Sequence, residues 1–235
     1  ASASRVTAVV PYFGYARQDR KDEGRVPITA KMCADILTKA GADRVLTVEL
    51  HAAQIQGFFD IPVDNLSAQP VLSAYFESLD LHPLTLVSPD VGNAKQSRVY
   101  ADRMNASLAI IDKRRISGSE TSSMAIIGDV KDRNVLMIDD IIATAGTVLQ
   151  ACRLVREHGA KRIIVAATHG VLCGPAVDRL EQAPIDHLAV TDTIPVPSAV
   201  RSRLSTLSIL SISELLGEAI RRIHRNESVS SLFMK

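Results

Sequence analysis

The chain has 235 residues, 46% of them hydrophobic, with 27 basic against 26 acidic side chains and a formal net charge of +1. That is enough apolar material for one large or two modest cores, while basic residues scattered rather than striped give no footprint for a nucleic acid. No apolar run approaches the roughly 20 residues of a membrane helix, and the amino end lacks the basic start and long apolar middle of a signal peptide, so no membrane partner and a cytoplasmic location are expected.

The sequence opens on Ala1 and enters a strand pattern, Val6 to Val10, almost at once, which reads as an amino-terminally truncated form. The segment Pro11 to Arg25 follows, with aromatic residues and then Arg17 and Gln18 among charged neighbours. Rings stack on purines and a guanidinium grips anions in bidentate fashion, so this loop suits a nucleotide; taken alone, a solvated charged loop fits it equally well. Apolar periodicity through Ile28, Met32, Ile36 and Leu37 predicts a helix over Ile28 to Ala40, ended by Gly41. A buried strand, Arg44 to Leu50, leads into Glu49 to Asp60, where His51 stands at the strand's end and can contact phosphate oxygens or move a proton.

A helix is predicted over Gln69 to Leu79, then His82-Pro83 as a linker and a strand at Thr85 to Val87. Asp90 lies in the loop after that strand, before a helix at Ala94 to Met104, a place suited to a metal-bound water or a ligand hydroxyl. The strand at Leu108 to Ile111 ends in three basic residues and a Ser/Gly-rich stretch, read as a mobile flap carrying Lys113 and Arg115 over developing charge.

The most informative segment is VLMIDDIIATAGT, Val135 to Thr147. An apolar strand, Val135 to Ile138, ends in Asp139 and Asp140; small residues follow, then a helix pattern to His158 closed by Gly159. Small residues let backbone amides approach a phosphate, the helix amino terminus supplies donors, and two carboxylates can accept hydrogen bonds from a sugar diol. This is the pattern of a sugar-phosphate site.

A strand at Arg162 to Ala167 and a helix at Ser213 to Arg225, with Ser211 and Glu214 as a capping box, complete the pattern. Strands without alternation, separated by helices, predict an α/β protein with mostly parallel sheets flanked by helices. The junctions AGADRVLTVEL and HGAKRIIVAAT are similar enough to suggest two related halves, divided near Leu81 to Leu84. Cys33, Cys152 and Cys173 show no metal-ligand spacing and read as reduced packing residues.

The segments YFGYARQDRK, LHAAQIQGFFDIPVDNL, SPDVGNAK, IIDKRR, IGDVKDR, DDIIATAGT, THGVLCGPA and EAIRRIHRNESVSSLF, in this order, resemble the ribose-phosphate diphosphokinases, the phosphoribosyl pyrophosphate synthetases. The resemblance implies two phosphoribosyltransferase-like domains, the first incomplete: residues 1–82, residues 83–212 with the ribose-phosphate loop, and a terminal helix and tail, 213–235, packing on the first domain. It implies transfer of the diphosphoryl group of ATP, with Mg2+, to the anomeric hydroxyl of ribose 5-phosphate, by a homo-oligomer, usually a hexamer. Arg17, Gln18 and His51 would bind ATP, and His51 and Asp90 would place the metal. Asp139, Asp140, Thr144, Ala145, Gly146 and Thr147 would hold ribose 5-phosphate, and Lys113 and Arg115 would stabilise the transferring group.

The family usually has an acid where this chain has Ala143, an Asp where it has Glu49, and further chain before the strand that begins this sequence, so the truncated form is expected to be inactive or poorly assembled. Ala143 is commoner in nucleobase phosphoribosyltransferases and also suits a non-catalytic regulatory subunit; the segments around Arg17 and His51 favour the diphosphokinase.

Overall fold

The computed structural model describes residues 2–21, 23–115 and 122–232, with side chains at all of these except 113–115, 122 and 123. Strands that read as unbroken apolar runs are the interior of parallel sheets, where both faces are covered. In β4 (Leu84–Ser88) every residue is buried, and in β8 (Arg162–Gly170) every residue after the first.

Two units divide the chain, Ala1–Ala68 with Ile212–Lys235, and Gln69–Ser211. The first contains the parallel sheet β1 (Thr7–Val10), β2 (Arg44–Val48) and β3 (Val63–Leu66), in that order, with α1 (Thr29–Lys39) and α7 (Ser213–His224). Its core gathers Ala30 and Ala34 of α1, Val45 of β2, and Phe13, Ile55 and Phe59 from the loops. Arg5 ties the terminal helix to this unit, donating to the Ile223 carbonyl at 2.7 Å and the Asn226 side chain at 2.9 Å.

The second unit is a seven-stranded sheet in the order β10-β9-β8-β7-β4-β5-β6, where β5 is Ser107–Arg115, β6 Ser122–Ile127, β7 Asn134–Ile142, β9 His187–Thr191 and β10 Leu207–Leu210. All pairings are parallel except that of β5 with β6. The helices are α2 (Gln69–Glu77), α3 (Ala94–Arg103), α4 (Gly146–Glu157), α5 (Ala176–Gln182) and α6 (Ser198–Arg203). In α4, Ala151, Cys152 and Val155 are buried and Val148 packs beside them, one face of a helix at three- and four-residue spacing. No described helix is long and apolar enough to cross a membrane.

The glycines after α1 and α4 behave as helix stops. Gly41 and Gly159 take φ of 102° and 86°, and the next amide returns to the carbonyl of Leu37 or Val155.

Several expectations need correction. The division between units falls at Ala68/Gln69 and not at His82-Pro83, because the Leu81–Pro83 stretch is held inside the second unit: Asn134 donates its side-chain amide to Leu81 O at 2.8 Å and its backbone amide to Pro83 O at 2.9 Å. The cap of α7 is not Ser211. Ile212 occupies the cap of α7 without a side-chain bond, and Ser211 Oγ donates instead to Asp192 at 2.7 Å. Cys152 is buried and Cys33 partly so, but Cys173 is exposed and does not pack. Four strands were not legible. In β3 (VDNL) the polar positions are spent on neighbours, Asp64 on Arg44 at 2.6 Å and Asn65 on the Leu50 amide at 3.0 Å; β6, β9 and β10 also escaped.

Candidate active site

In the first unit, the chain leaving β2 turns at Glu49, whose φ of 47° is left-handed, a conformation costing a non-glycine residue about 1–2 kcal/mol. Its carboxylate holds the turn by accepting from Ser67 Oγ at 3.0 Å and the Ala68 amide at 2.9 Å. His51 is thereby exposed at the strand's end, followed by a 3-10 turn, Ala53–Phe58, anchored through fully buried Ile55. Arg17, Asp19, Arg20, His51 and Gln54 line one cleft there, and Gln54 latches its two sides by donating to Asp19 at 2.6 Å. Gln18 does not line the cleft; its backbone closes a turn onto Tyr15 O and accepts from Ala30 at the start of α1. The aromatics of this loop divide: Phe13 is 5% exposed and meets Phe59 edge to face at 6.0 Å, so it serves the core, while Tyr15 faces solvent.

In the second unit, the paired acids do not follow their strand but belong to it. The ladder of β7 with β8 continues to Ile142 opposite Gly170, carrying Asp139 and Asp140 within it. Asp139 Oδ1 accepts the Asp140 amide at 2.9 Å. Asp90, in the loop after β4, accepts the Asn93 amide at 2.9 Å, and the Asn93 side chain donates to Ile138 O at 3.1 Å and to Asp139 Oδ1 at 3.4 Å. Burial first, then the hydrogen bond and charge of Asp140 and the charge of Asp90, push the Asp139 carboxyl up to about 7. The charges of Asp140 and Asp90 thus oppose ionisation of the buried Asp139, an arrangement that hydroxyl donors or a cation would relieve.

The small-residue loop leads into α4. Its cap, Ala145, is buried and left-handed at φ 57°, and Gly146 opens the helix, so the first amides of α4 have no carbonyl one turn back. Carbonyls along the loop are held in succession: Ile142 O by the Leu172 amide and Ala143 O by the Cys173 amide of the β8–α5 connection, both at 3.0 Å, and Thr144 O by the guanidinium of Arg179 in α5 at 2.9 Å. A trans peptide sets its N–H opposite its C=O, so fixing these carbonyls aims the following amides the other way, as an anion-binding loop requires.

Lys113 and Arg115 are placed only by their backbone, in β5 opposite Met124 and Ser122 of β6. Their side chains lie outside the described residues, as do residues 116–121 of the expected flap. The basic residues therefore stand on an arm of an antiparallel hairpin and not after a strand's end. His51 and Asp90, paired as metal ligands from the resemblance, belong to different units. Among the described residues no group of three His, Cys, Asp or Glu side chains is preassembled around a metal position. Asn93, Gln54 and Arg179 were missed as site residues; Asn93 and Gln54 stand inside the recognised segments, whereas nothing local marks Arg179.

Paired acids on a central parallel strand, leading through a small-residue loop into a helix, characterise this α/β protein. Comparison with known proteins narrows the class. Residues 114–234 match the phosphoribosyl synthetase-associated domain, and residues 1–41 the N-terminal domain of ribose phosphate pyrophosphokinase. A ribose-phosphate pyrophosphokinase of Rhodopirellula baltica is 56% identical across 99% of this chain and 74% of its own length. One of Caldanaerobacter subterraneus subsp. tengcongensis is 50% identical across 99% and 73%. The crystal structure of phosphoribosylpyrophosphate synthetase from Mycobacterium smegmatis superposes with a TM-score of 0.88 at 43% identity, over 96% of this chain and 73% of that one. The chain belongs to the ribose-phosphate pyrophosphokinase family.

Proposed function

We propose that the chain transfers the diphosphoryl group of ATP to the anomeric hydroxyl of ribose 5-phosphate, giving phosphoribosyl pyrophosphate and AMP. The hydroxyl oxygen bonds to the β-phosphorus, the bond from that phosphorus to the α–β bridging oxygen breaks, and the hydroxyl proton is lost. The observation that carries this reading is the β7–α4 loop, where held carbonyls and a left-handed cap lead into a helix amino terminus beside two carboxylates on one strand. In this reading Thr144, Ala145, Gly146 and Thr147 bind the 5-phosphate, while Asp139 and Asp140 accept from the ribose hydroxyls. Arg17 and His51, which line the first unit's cleft, hold the adenine nucleotide, with Gln18 beside Arg17 in the same loop, and Lys113 and Arg115 stabilise the group in flight. Such a reaction asks a protein mainly for positioning and charge stabilisation.

Asp90, Asp139 and Asp140 are hard oxygen donors, a chemistry that fits Mg2+; burial first, then the hydrogen bond and charge of Asp140 and the charge of Asp90, raise the Asp139 carboxyl. Magnesium is commonly held by one or two carboxylates together with substrate phosphates and waters, which suits a site without a preassembled cage. When bound, the ion neutralises phosphate charge. Asp90 and His51 are the residues assigned to its placement. A cytoplasmic homo-oligomer, hexameric by the resemblance, completes the reading.

Incubation with ribose 5-phosphate and MgATP should yield AMP and phosphoribosyl pyrophosphate in equal amounts, and EDTA should abolish both. Ala143 supports a second reading, a regulatory subunit. If the chain binds ribose 5-phosphate yet forms no AMP, and Ala143→Asp restores turnover, the regulatory reading replaces the first.

A further inference from the structure

Arg179 stands on α5, 35 residues beyond the phosphate loop in sequence, yet its Nη1 donates to Thr144 O at 2.9 Å. The same nitrogen lies 3.3 Å from where a β-carbon on Gly146 would be. The guanidinium is thus seated between the last loop carbonyl and the first residue of α4. Of the three held loop carbonyls, those of Ile142 and Ala143 are bound by backbone amides of the β8–α5 connection and that of Thr144 by a side chain of α5. The peptide it fixes joins Thr144 to left-handed Ala145, the one strained step in the loop.

We propose that Arg179 is a positioning residue for ribose 5-phosphate: by holding the Thr144 carbonyl it turns the Ala145 amide toward the 5-phosphate and keeps Ala145 left-handed. The inference rests on the reading of this loop as the ribose 5-phosphate site. It also accounts for glycine at position 146. A β-carbon there would crowd the guanidinium, which would have to give by a few tenths of an ångström, so Arg179 as well as the approach of the phosphate favours glycine. A guanidinium carries five donors in a fixed fork, which an ammonium cannot reproduce, so Lys should replace Arg179 only in part.

The test is calorimetric titration of the whole chain with ribose 5-phosphate and, separately, with ATP, for wild type, Arg179→Met, Arg179→Lys and Gly146→Ala. Arg179→Met should weaken ribose 5-phosphate binding by about tenfold or more, as expected for losing a hydrogen bond from a charged group. Arg179→Lys should fall between, and Gly146→Ala should weaken the same ligand. Binding of ATP should stay within about twofold of wild type in all three, since a change near RT ln 2 is below a single hydrogen bond. Unchanged ribose 5-phosphate binding in Arg179→Met, or equal loss for both ligands, overturns the proposal. Should Arg179→Met fail to fold, the other two variants decide by the same selectivity. If wild type itself does not bind ribose 5-phosphate, the reading of the loop fails, and the proposal with it.

Discussion

Asn93 donates its side-chain amide to Ile138 O at 3.1 Å while its backbone amide is held by Asp90 at 2.9 Å. One residue at the entrance of α3 therefore ties the loop after β4 to the strand that carries the paired acids. The tie keeps Asp90 and Asp139 close enough for the charge of one to raise the carboxyl of the other.

Replacing Asn93 by Ala should release that loop. The stability cost is modest, about 1 kcal/mol for one hydrogen bond. Activity should fall much further, since the geometry of three carboxylates changes together. A thermal midpoint lowered by only a few degrees alongside unchanged turnover would contradict this account of Asn93.

Asp139 gives the ligand-free chain a specific pH dependence. Its folded-state carboxyl sits near 7 against an ordinary 3.8, so the folded chain holds the extra proton between those values. The stability this contributes is fully present below the ordinary value and is lost as pH rises through about 7. Asp139→Asn keeps an acceptor for the Asp140 amide without the charge. Its thermal midpoint relative to wild type should therefore climb between about pH 5 and about pH 8. A flat difference across that range would show that Asp139 is already ionised.

Gly128 follows β6 with φ of 115°, and a β-carbon there would come within 2.8 Å of Ala109 Cα in β5. Both the backbone angle and the contact exclude a side chain, and backbone cannot swing aside. Gly128→Ala should lower unfolding free energy by about 3 kcal/mol or more, read by urea denaturation. Gly57, which meets nothing within 4 Å and has no such angle, should tolerate Ala far better.

The three thiols should separate kinetically. Cys173 is exposed, Cys33 is partly buried with its thiol raised by burial, and Cys152 is buried and pushed up to about 12. Reaction with a disulfide reagent requires thiolate and access, so Cys173 should react first and Cys152 only on unfolding. Mass mapping of the modified peptides checks the order.

Arg17→Ala and His51→Ala should weaken ATP binding and leave ribose 5-phosphate binding unchanged, because both residues line the first unit's cleft. Their exposure predicts near-normal thermal midpoints. Equal loss of both ligands would remove the cleft's assignment to the nucleotide.

Periodicity and punctuation determined much of the fold from sequence alone. Strands without alternation marked parallel sheets, three- and four-residue apolar spacing located α1, helix-length segments between strands placed α2 to α4, and Gly41 and Gly159 ended their helices. The order strand, paired acids, small residues, helix marked the candidate phosphate loop, because its pattern is written in one continuous segment. The tertiary structure decided the rest. It extended β7 through Asp139 and Asp140, turned Phe13 into the core, made the arm of Lys113 and Arg115 a hairpin, and brought Arg179 to Thr144. A local pattern reports only neighbours within a turn of helix or along one strand. Partners brought together by strand order are invisible to it, and β3 shows why: its Asp64 and Asn65 read as turn residues until Arg44 and the Leu50 amide stand beside them.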